Sequence, residues 1–346
     1  MKKLLLCVLA LLILAAGGVA GVLYHRATSP YRGYAGAAQV VAIPPGSGSR
    51  AIGERLIAAG VVPGKYAFEM ALHLTGASRR LKAGTYRFDR PMAPVEVIDK
   101  IARGDVYVAR ITFPEGLTIR EMAKIYAARG LGTTAAFEQA AANPAPIRTL
   151  DPDATDLEGY LFPETYPVQP GAPATALVDA MVARFRQVFD AGLRQDAEAR
   201  GLSVRQVVTL ASIVEKETAN AEERPEVAAV YENRLRIGMA LQCDPTVIYA
   251  LEQAGRYTGA LHHDDMSFDS PYNTYRYPGL PPGPIASPGL PSIEAALNPA
   301  PVDYLYFVSR HDGTHVFART LAEHDRNVRK YQIEYFREKR ASHPGR

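Results

Sequence analysis

Val207-Val208-Thr209-Leu210-Ala211-Ser212-Ile213-Val214-Glu215-Lys216-Glu217-Thr218 is an apolar run that ends in two carboxylates. Residues three, four and seven apart share one face of a helix. Glu217 lies seven after Leu210, four after Ile213 and three after Val214, so it continues the buried stripe. Glu215 points about 200° away, at roughly 100° per residue, to the flank that carries Ser212 and Ala219. A carboxyl group on a dry stripe has its charged form penalised, holds a proton near neutral pH and can hand it to a leaving group. The plainer alternative makes Glu217 a helix-end carboxylate paired with Arg224 or Arg234, since structural ion pairs also perturb acids.

Around this stretch lie 346 residues, 47% hydrophobic and 22% charged, which suits a globular protein of two or three domains. The net charge of +3 is spread without a dense Lys/Arg block and argues against nucleic acid as a partner. Tryptophan is absent but there are 19 tyrosines, whose flat faces and hydroxyl tips suit sugar or peptide contact as well as ordinary cores. The two cysteines, Cys7 and Cys243, are too few for a disulfide framework or a cysteine metal cluster. Cys7 falls inside the N-terminal apolar run, so the two are not expected to pair.

That run, Leu4 to Tyr24, is uncharged and follows Lys2 and Lys3. Roughly 20 apolar residues span a bilayer as a helix, and the lysines favour a cytoplasmic N-terminus with export of the rest. Its length favours a retained anchor over a cleaved signal peptide with small residues at Gly18 to Gly21. After a Gly/Ser/Pro/Arg/Tyr linker, Gln39 to Ile43 reads as a strand. Helices are expected over Arg50–Ala59, Lys65–Leu74 and Ala93–Ala102, with Gly60 and Gly104 as stops. A strand should cover the end of Leu81–Phe88. Ile43-Pro44-Pro45-Gly46 to Gly60-Val61 is echoed by Phe113-Pro114-Glu115-Gly116 to Gly130-Leu131 at a constant offset of 70. Both copies read strand, turn, amphipathic helix and Gly stop, with Val106–Phe113 as the second strand.

Further on, Asp156 to Pro167 is aromatic, acidic and rich in turn residues, and reads as a core-facing loop with solvated acids. Ala174–Arg200 reads as one long helix with Leu177, Met181, Phe185 and Phe189 as its core stripe. Pro225 opens a helix that runs to Ile237 and ends at Gly238. Asp244-Pro245 reads as an N-cap acid followed by Pro at the first position of a helix over Thr246–Glu252. His262-His263-Asp264-Asp265 cannot aim four adjacent side chains at one ion, so no metal site is expected. Ser270 to Pro291 is a long, shaped Pro/Gly loop whose interleaved Tyr272, Asn273, Tyr275 and Tyr277 argue for function. Tyr304–Arg310 and His315–Arg319 form a hairpin about Asp312-Gly313, with His311 and His315 assigned to that turn. Leu321–Lys339 is a basic closing helix.

With these pieces placed, the sequence resembles the MltG-like (YceG-like) endolytic murein transglycosylases. The resemblance rests on Leu210–Thr218, Asn233–Met239, Leu241–Tyr249, Tyr272–Tyr275, Gly279–Ile285 and Tyr304–Phe307. It implies an α+β protein held in the bacterial inner membrane by one helix, with its catalytic domain on the periplasmic side. The expected division is an anchor over 1–24, a linker over 25–38, a LysM-like region over 39–105, a catalytic domain over 106–340 and a tail over 341–346. The implied reaction cleaves nascent glycan strands internally, between N-acetylmuramic acid and N-acetylglucosamine, and leaves 1,6-anhydro ends without a cofactor. Action beside peptidoglycan synthases is implied with it. Glu217 is expected to be the catalytic acid and base, preferred by helical phase over the rival Glu215. Gln242, Asp244, Tyr272, Asn273, Tyr275 and Glu164 are the expected substrate-binding residues. Cys243 departs from the Thr or Ser expected there, which puts a hydroxyl contact in doubt. Two alternatives stand beside this reading: a wall-binding scaffold whose acids are structural, and a two-carboxylate muramidase that pairs Glu217 with Glu164 or Asp244.

Overall fold

The apolar run forms α1 (Lys2–Thr28) in a computed structural model that describes residues 2–342. Leu4–Thr28, 25 residues of mean hydropathy 2.7, is long and apolar enough to cross a membrane. The side chains of Leu4, Leu5, Leu11 and Leu14 are exposed, whereas Ala27 is buried. The helix therefore continues four residues past the apolar run, into the stretch expected to be linker.

The chain divides into two units. The first comprises residues 1–110 and 167–172, the second 111–166 and 173–346. In the first, β1 (Gln39–Ile43) pairs antiparallel with β2 (Gly84–Phe88), Val41 opposite Tyr86. Between them run α2 (Ser49–Ala58) and α3 (Lys65–Thr75), and α4 (Pro94–Arg103) follows. Ile52, Leu56, Phe68, Tyr86, Phe88, Ile98 and Ile101 form the core. Gly53 lets α2 and α3 approach, because a Cβ there would lie 2.7 Å from the Phe68 ring. Helix α4 starts on Pro94, has its N-terminus closed by Glu96 accepting from the Ala93 N–H at 2.8 Å, and stops at left-handed Gly104.

The repeat seen in the sequence is real in the backbone. Helix α5 (Ile119–Ala128) lies 70 residues after α2, Gly116 (φ 77°) answers Gly46 (φ 79°), and Gly130 and Gly60 share φ 68°. The second strand is shorter than expected: β3 covers only Ala109–Thr112 and pairs with β4 (Thr165–Val168).

The second unit continues with α6 (Thr134–Ala141), α7 (Ala174–Val188), α8 (Ala191–Ala199), α9 (Val204–Glu217), α10 (Arg224–Arg236) and α11 (Asp244–Gln253). A short 3₁₀ turn (His263–Ser267) leads to the Pro/Gly loop and α12 (Leu290–Leu297). The hairpin β5 (Tyr306–Ser309) and β6 (His315–Ala318) then precedes α13 (Leu321–Val328), a π-helical turn (Arg329–Glu334) and α14 (Tyr335–Ser342). The expected tail beyond Ser342 lies outside the described residues. Helix α9 packs most extensively against α12, and also against α10 and α11.

Two expectations fail here for local reasons. Ala174–Arg200 is two helices, because Asp190 accepts the Leu193 N–H at 3.1 Å and caps a new helix directly after the stripe residue Phe189. The stripe itself (Leu177, Met181, Phe185, Phe189) is buried as expected. The acids of Asp156–Pro167 are not all solvated. Glu158 is 5% exposed and accepts the Ile119 N–H at 3.0 Å, closing the N-terminus of α5. Burial outweighs that hydrogen bond and pushes its carboxyl from the ordinary 4.5 up to about 8. The protonated group thus favours the native state fully below pH 4.5, and that contribution is lost as pH rises to about 8. Glu158→Gln should remove this loss. Thermal unfolding at about pH 5 and about pH 9 should show the parent weakening relative to the variant by a few kcal/mol across the window; parallel pH dependence in the two proteins would contradict it.

Candidate active site

Ser203 and Gln206 close the N-terminus of α9 reciprocally, Ser203 Oγ accepting from the Gln206 N–H at 3.2 Å and Gln206 Oε1 from the Ser203 N–H at 2.9 Å. From Val207 to Val214 every residue is buried, so the helix is dry on all sides and not along one stripe. Glu217 is its last residue, and Thr218 turns the chain into extended backbone. Two donors reach Glu217, both on Oε1: the Tyr231 hydroxyl at 2.7 Å and the Cys243 thiol at 3.0 Å. Burial raises the Glu217 pKa, nearby Asp244 raises it further, and the two donors and His315 pull against them.

The alternative pairing of Glu217 with Arg224 or Arg234 is not formed. Arg234 spends its guanidinium on backbone carbonyls, Leu305 at 2.7 Å and Leu241 at 2.6 Å. Arg224 goes to Glu215 at 3.1 Å and to Glu115 at 3.5 Å. Glu115 comes from the turn of the second repeat copy, where the first copy carries Pro45. Glu215 lies on the flank away from the Glu217 stripe, and its side chain is 6% exposed. Its Oε2 accepts from the Gly289 N–H at 3.0 Å and from the Ser292 hydroxyl at 2.7 Å. With Arg224 of α10 on Oε1, both oxygens of Glu215 are taken by the packing of α9 on α10 and α12.

Glu217 opens onto a cleft of about 270 Å³, which Tyr231 and Arg234 of α10, Gln242 and Asp244 at the start of α11, Tyr275, Phe307 and His324 also line. Asp244 does not cap α11 as expected. Cys243 holds the N-cap position, Asp244 is the first helical residue, and its carboxylate accepts from the Tyr275 hydroxyl at 2.6 Å. Gln242 has φ 50°, a left-handed conformation that costs a non-glycine residue energy and is kept only where surroundings enforce it. The enforcement comes from Thr274. Its carbonyl accepts the Gln242 N–H at 3.1 Å, its Oγ1 accepts the Cys243 N–H at 3.0 Å, and it bonds Thr246 Oγ1 at 2.8 Å.

Of the residues singled out from sequence, Glu217, Gln242, Asp244 and Tyr275 share this cleft. The others do not line it. Asn273 is fully buried, and its amide donates to the Met266 and Phe268 carbonyls at 3.0 and 2.8 Å, so it shapes the loop that carries Tyr275. Tyr272 packs on Tyr249, ring centroids 4.9 Å apart. Glu164 is exposed and paired with Arg184. His315 belongs to β6 and not to the turn, and bonds Glu223 at 2.8 Å. Sequence reasoning missed Tyr231, Phe307 and His324; it named Arg234 only as an ion-pair partner and Cys243 only as a departure from a hydroxyl residue. Tyr231 and Arg234 lie three apart on α10, one helix face, but only the packing of α10 on α9 turns that face toward Glu217.

Comparison with known proteins identifies the family. Over 306 residues the chain is 35% identical to an endolytic murein transglycosylase of Bacillus subtilis (strain 168), covering 84% of this chain and 83% of that one. An endolytic murein transglycosylase of Streptococcus pneumoniae (strain D39) is 31% identical over 93% of this chain, which spans only 63% of that relative's length. A crystal structure of a yceG-like protein from Listeria monocytogenes superposes with a TM-score of 0.58 at 31% identity, covering 84% of this chain and 98% of that one. The sequence model of the YceG-like family matches residues 41–330, and with the glutamate-centred cleft inside that span, the chain belongs to the YceG-like family.

Proposed function

We propose that the chain is an endolytic murein transglycosylase that cuts peptidoglycan glycan strands between N-acetylmuramic acid and N-acetylglucosamine. The observation that carries this reading is Glu217, a buried carboxyl group whose pKa burial raises and which faces a polar cleft. A lytic transglycosylase needs one such group. Glu217 gives its proton to the glycosidic oxygen as the bond to the anomeric carbon breaks. The C6 hydroxyl of the same muramic acid then attacks that carbon and returns its proton to Glu217. The product is a 1,6-anhydro end, no water enters the bond, and the acid is restored. Gln242, Asp244 and Tyr275 contact the sugar, while Asn273 and Tyr272 act through the loop that presents Tyr275.

Helix α1 anchors the chain in the inner membrane, with Lys2 and Lys3 on the cytoplasmic side and the residues after α1 in the periplasm. Residues 39–105 form a wall-binding, LysM-like region, and the enzyme works beside peptidoglycan synthases on nascent strands. A second reading, a two-carboxylate muramidase, draws on Asp244, which lines the same cleft. Mass spectrometry of products from purified glycan strands separates the two. Anhydro ends are expected in essentially all fragments; reducing ends would favour the muramidase, and tight binding without cleavage would favour a scaffold.

A further inference from the structure

We propose that Tyr231 and Cys243 are a pair of positioning donors that pin Oε1 of Glu217 and thereby leave its transferable proton on Oε2. This rests on Glu217 being the acid of the reaction above. A protonated carboxyl group has one carbonyl oxygen and one hydroxyl oxygen, and an oxygen that accepts from two donors is the carbonyl one. Both donors reach Oε1, at 2.7 and 3.0 Å, and among the described residues no other donor bonds Glu217.

The two donors are themselves held. Tyr231 is 2% exposed and meets Phe307 edge to face, centroids 6.0 Å apart. Cys243 is 1% exposed, with its N–H on Thr274 and its carbonyl accepting from Thr246 Oγ1 at 2.6 Å. Its thiol is therefore aimed by the same enforced turn that strains Gln242. Burial pushes the pKa of both groups far up, so each keeps its hydrogen at working pH. When the proton leaves Oε2, the pair already faces the new charge, and no group has to move to meet it.

A thiol donates more weakly than a hydroxyl. Cys243 thus holds Glu217 in its acid form to higher pH than the Ser or Thr expected at that position would. The other groups that face Glu217 are Arg234 from α10, Asp244 from α11, Tyr275 from the loop, His315 from β6 and His324 from α13, and none of them changes in the test below.

The full chain, solubilised in detergent, is assayed for anhydro-end release from uncrosslinked glycan strands across pH. The alkaline limb, where the acid form of Glu217 is lost, should move down by about half a pH unit to one unit in Cys243→Ser and up by as much in Cys243→Ala and Tyr231→Phe. The double variant Tyr231→Phe/Cys243→Ala should lose about tenfold to a hundredfold in kcat, with KM little changed. A second readout needs no turnover. In Cys7→Ser protein the infrared S–H stretch belongs to Cys243 alone, and it should shift in a single titration that vanishes in Glu217→Gln. Coincident alkaline limbs in all variants, or an S–H band indifferent to Glu217→Gln, would overturn the proposal. A titrating band in a protein that makes no anhydro ends would support the donor pair and sink the transglycosylase reading instead.

Discussion

Glu217→Gln should slow the release of anhydro-terminated fragments by about a hundredfold to ten-thousandfold, the range that a positioned general acid and base supplies. The amide keeps the carbonyl oxygen that Tyr231 and Cys243 hold, so the fold is expected to be intact. Stability should even improve at neutral and higher pH. A carboxyl group whose pKa burial has raised supports the native state fully below its ordinary value of 4.5, and that support is lost as pH rises through the raised value. The neutral amide has no such loss. Thermal unfolding and product analysis on the same preparation check both halves. Undiminished anhydro release from a well-folded Glu217→Gln protein would remove Glu217 from the mechanism.

The opposite pattern is expected two residues earlier. Glu215→Ala should cost about 3–5 kcal/mol, because it strips a buried ion pair of one partner. The guanidinium of Arg224, 8% exposed, would keep only the more distant Glu115, and the Gly289 N–H and Ser292 hydroxyl would lose their acceptor. For a unit of this size the loss corresponds to roughly 10 °C or more in melting temperature. Glu215→Gln retains an acceptor for Gly289 and Ser292 and should recover part of it. Molecules that remain folded should still make anhydro ends within about tenfold of the parent rate. If a folded Glu215→Gln protein were inert while Glu217→Gln stayed active, the two roles would have to be exchanged.

What was legible in the sequence was what short-range signals determine. The Gly60 and Gly104 stops, the strand at Gln39–Ile43 and the 70-residue echo all appear within a residue or two, since each depends on neighbours in sequence. The helix break at Asp190 was hidden because Leu193 and Ala197 continue the four-residue spacing of Phe185 and Phe189 across it. Helical phase separated Glu217 from Glu215, but it did not say what the flank of Glu215 packs against. That flank is closed by Gly289 and Ser292, 74 and 77 residues away, and no periodicity within α9 carries that contact. The same holds for the cleft. Gln242, Asp244 and Tyr275 could be nominated by type, whereas Tyr231, Cys243 and His324 become neighbours of Glu217 only through tertiary packing.

Because α9 ends at Glu217, the carboxyl group sits at the negative pole of a helix dipole. An anion there is disfavoured by about 0.3–1 kcal/mol, an effect that fades within one turn. The fourteen-residue helix therefore does more than carry the residue into a dry place. Its direction tips Glu217 toward taking its proton back after each cut, readying it for the next bond. The same carboxyl group at the other end of a helix would be tipped toward staying ionised, so the polarity of α9, as well as its burial, belongs to the design of the acid.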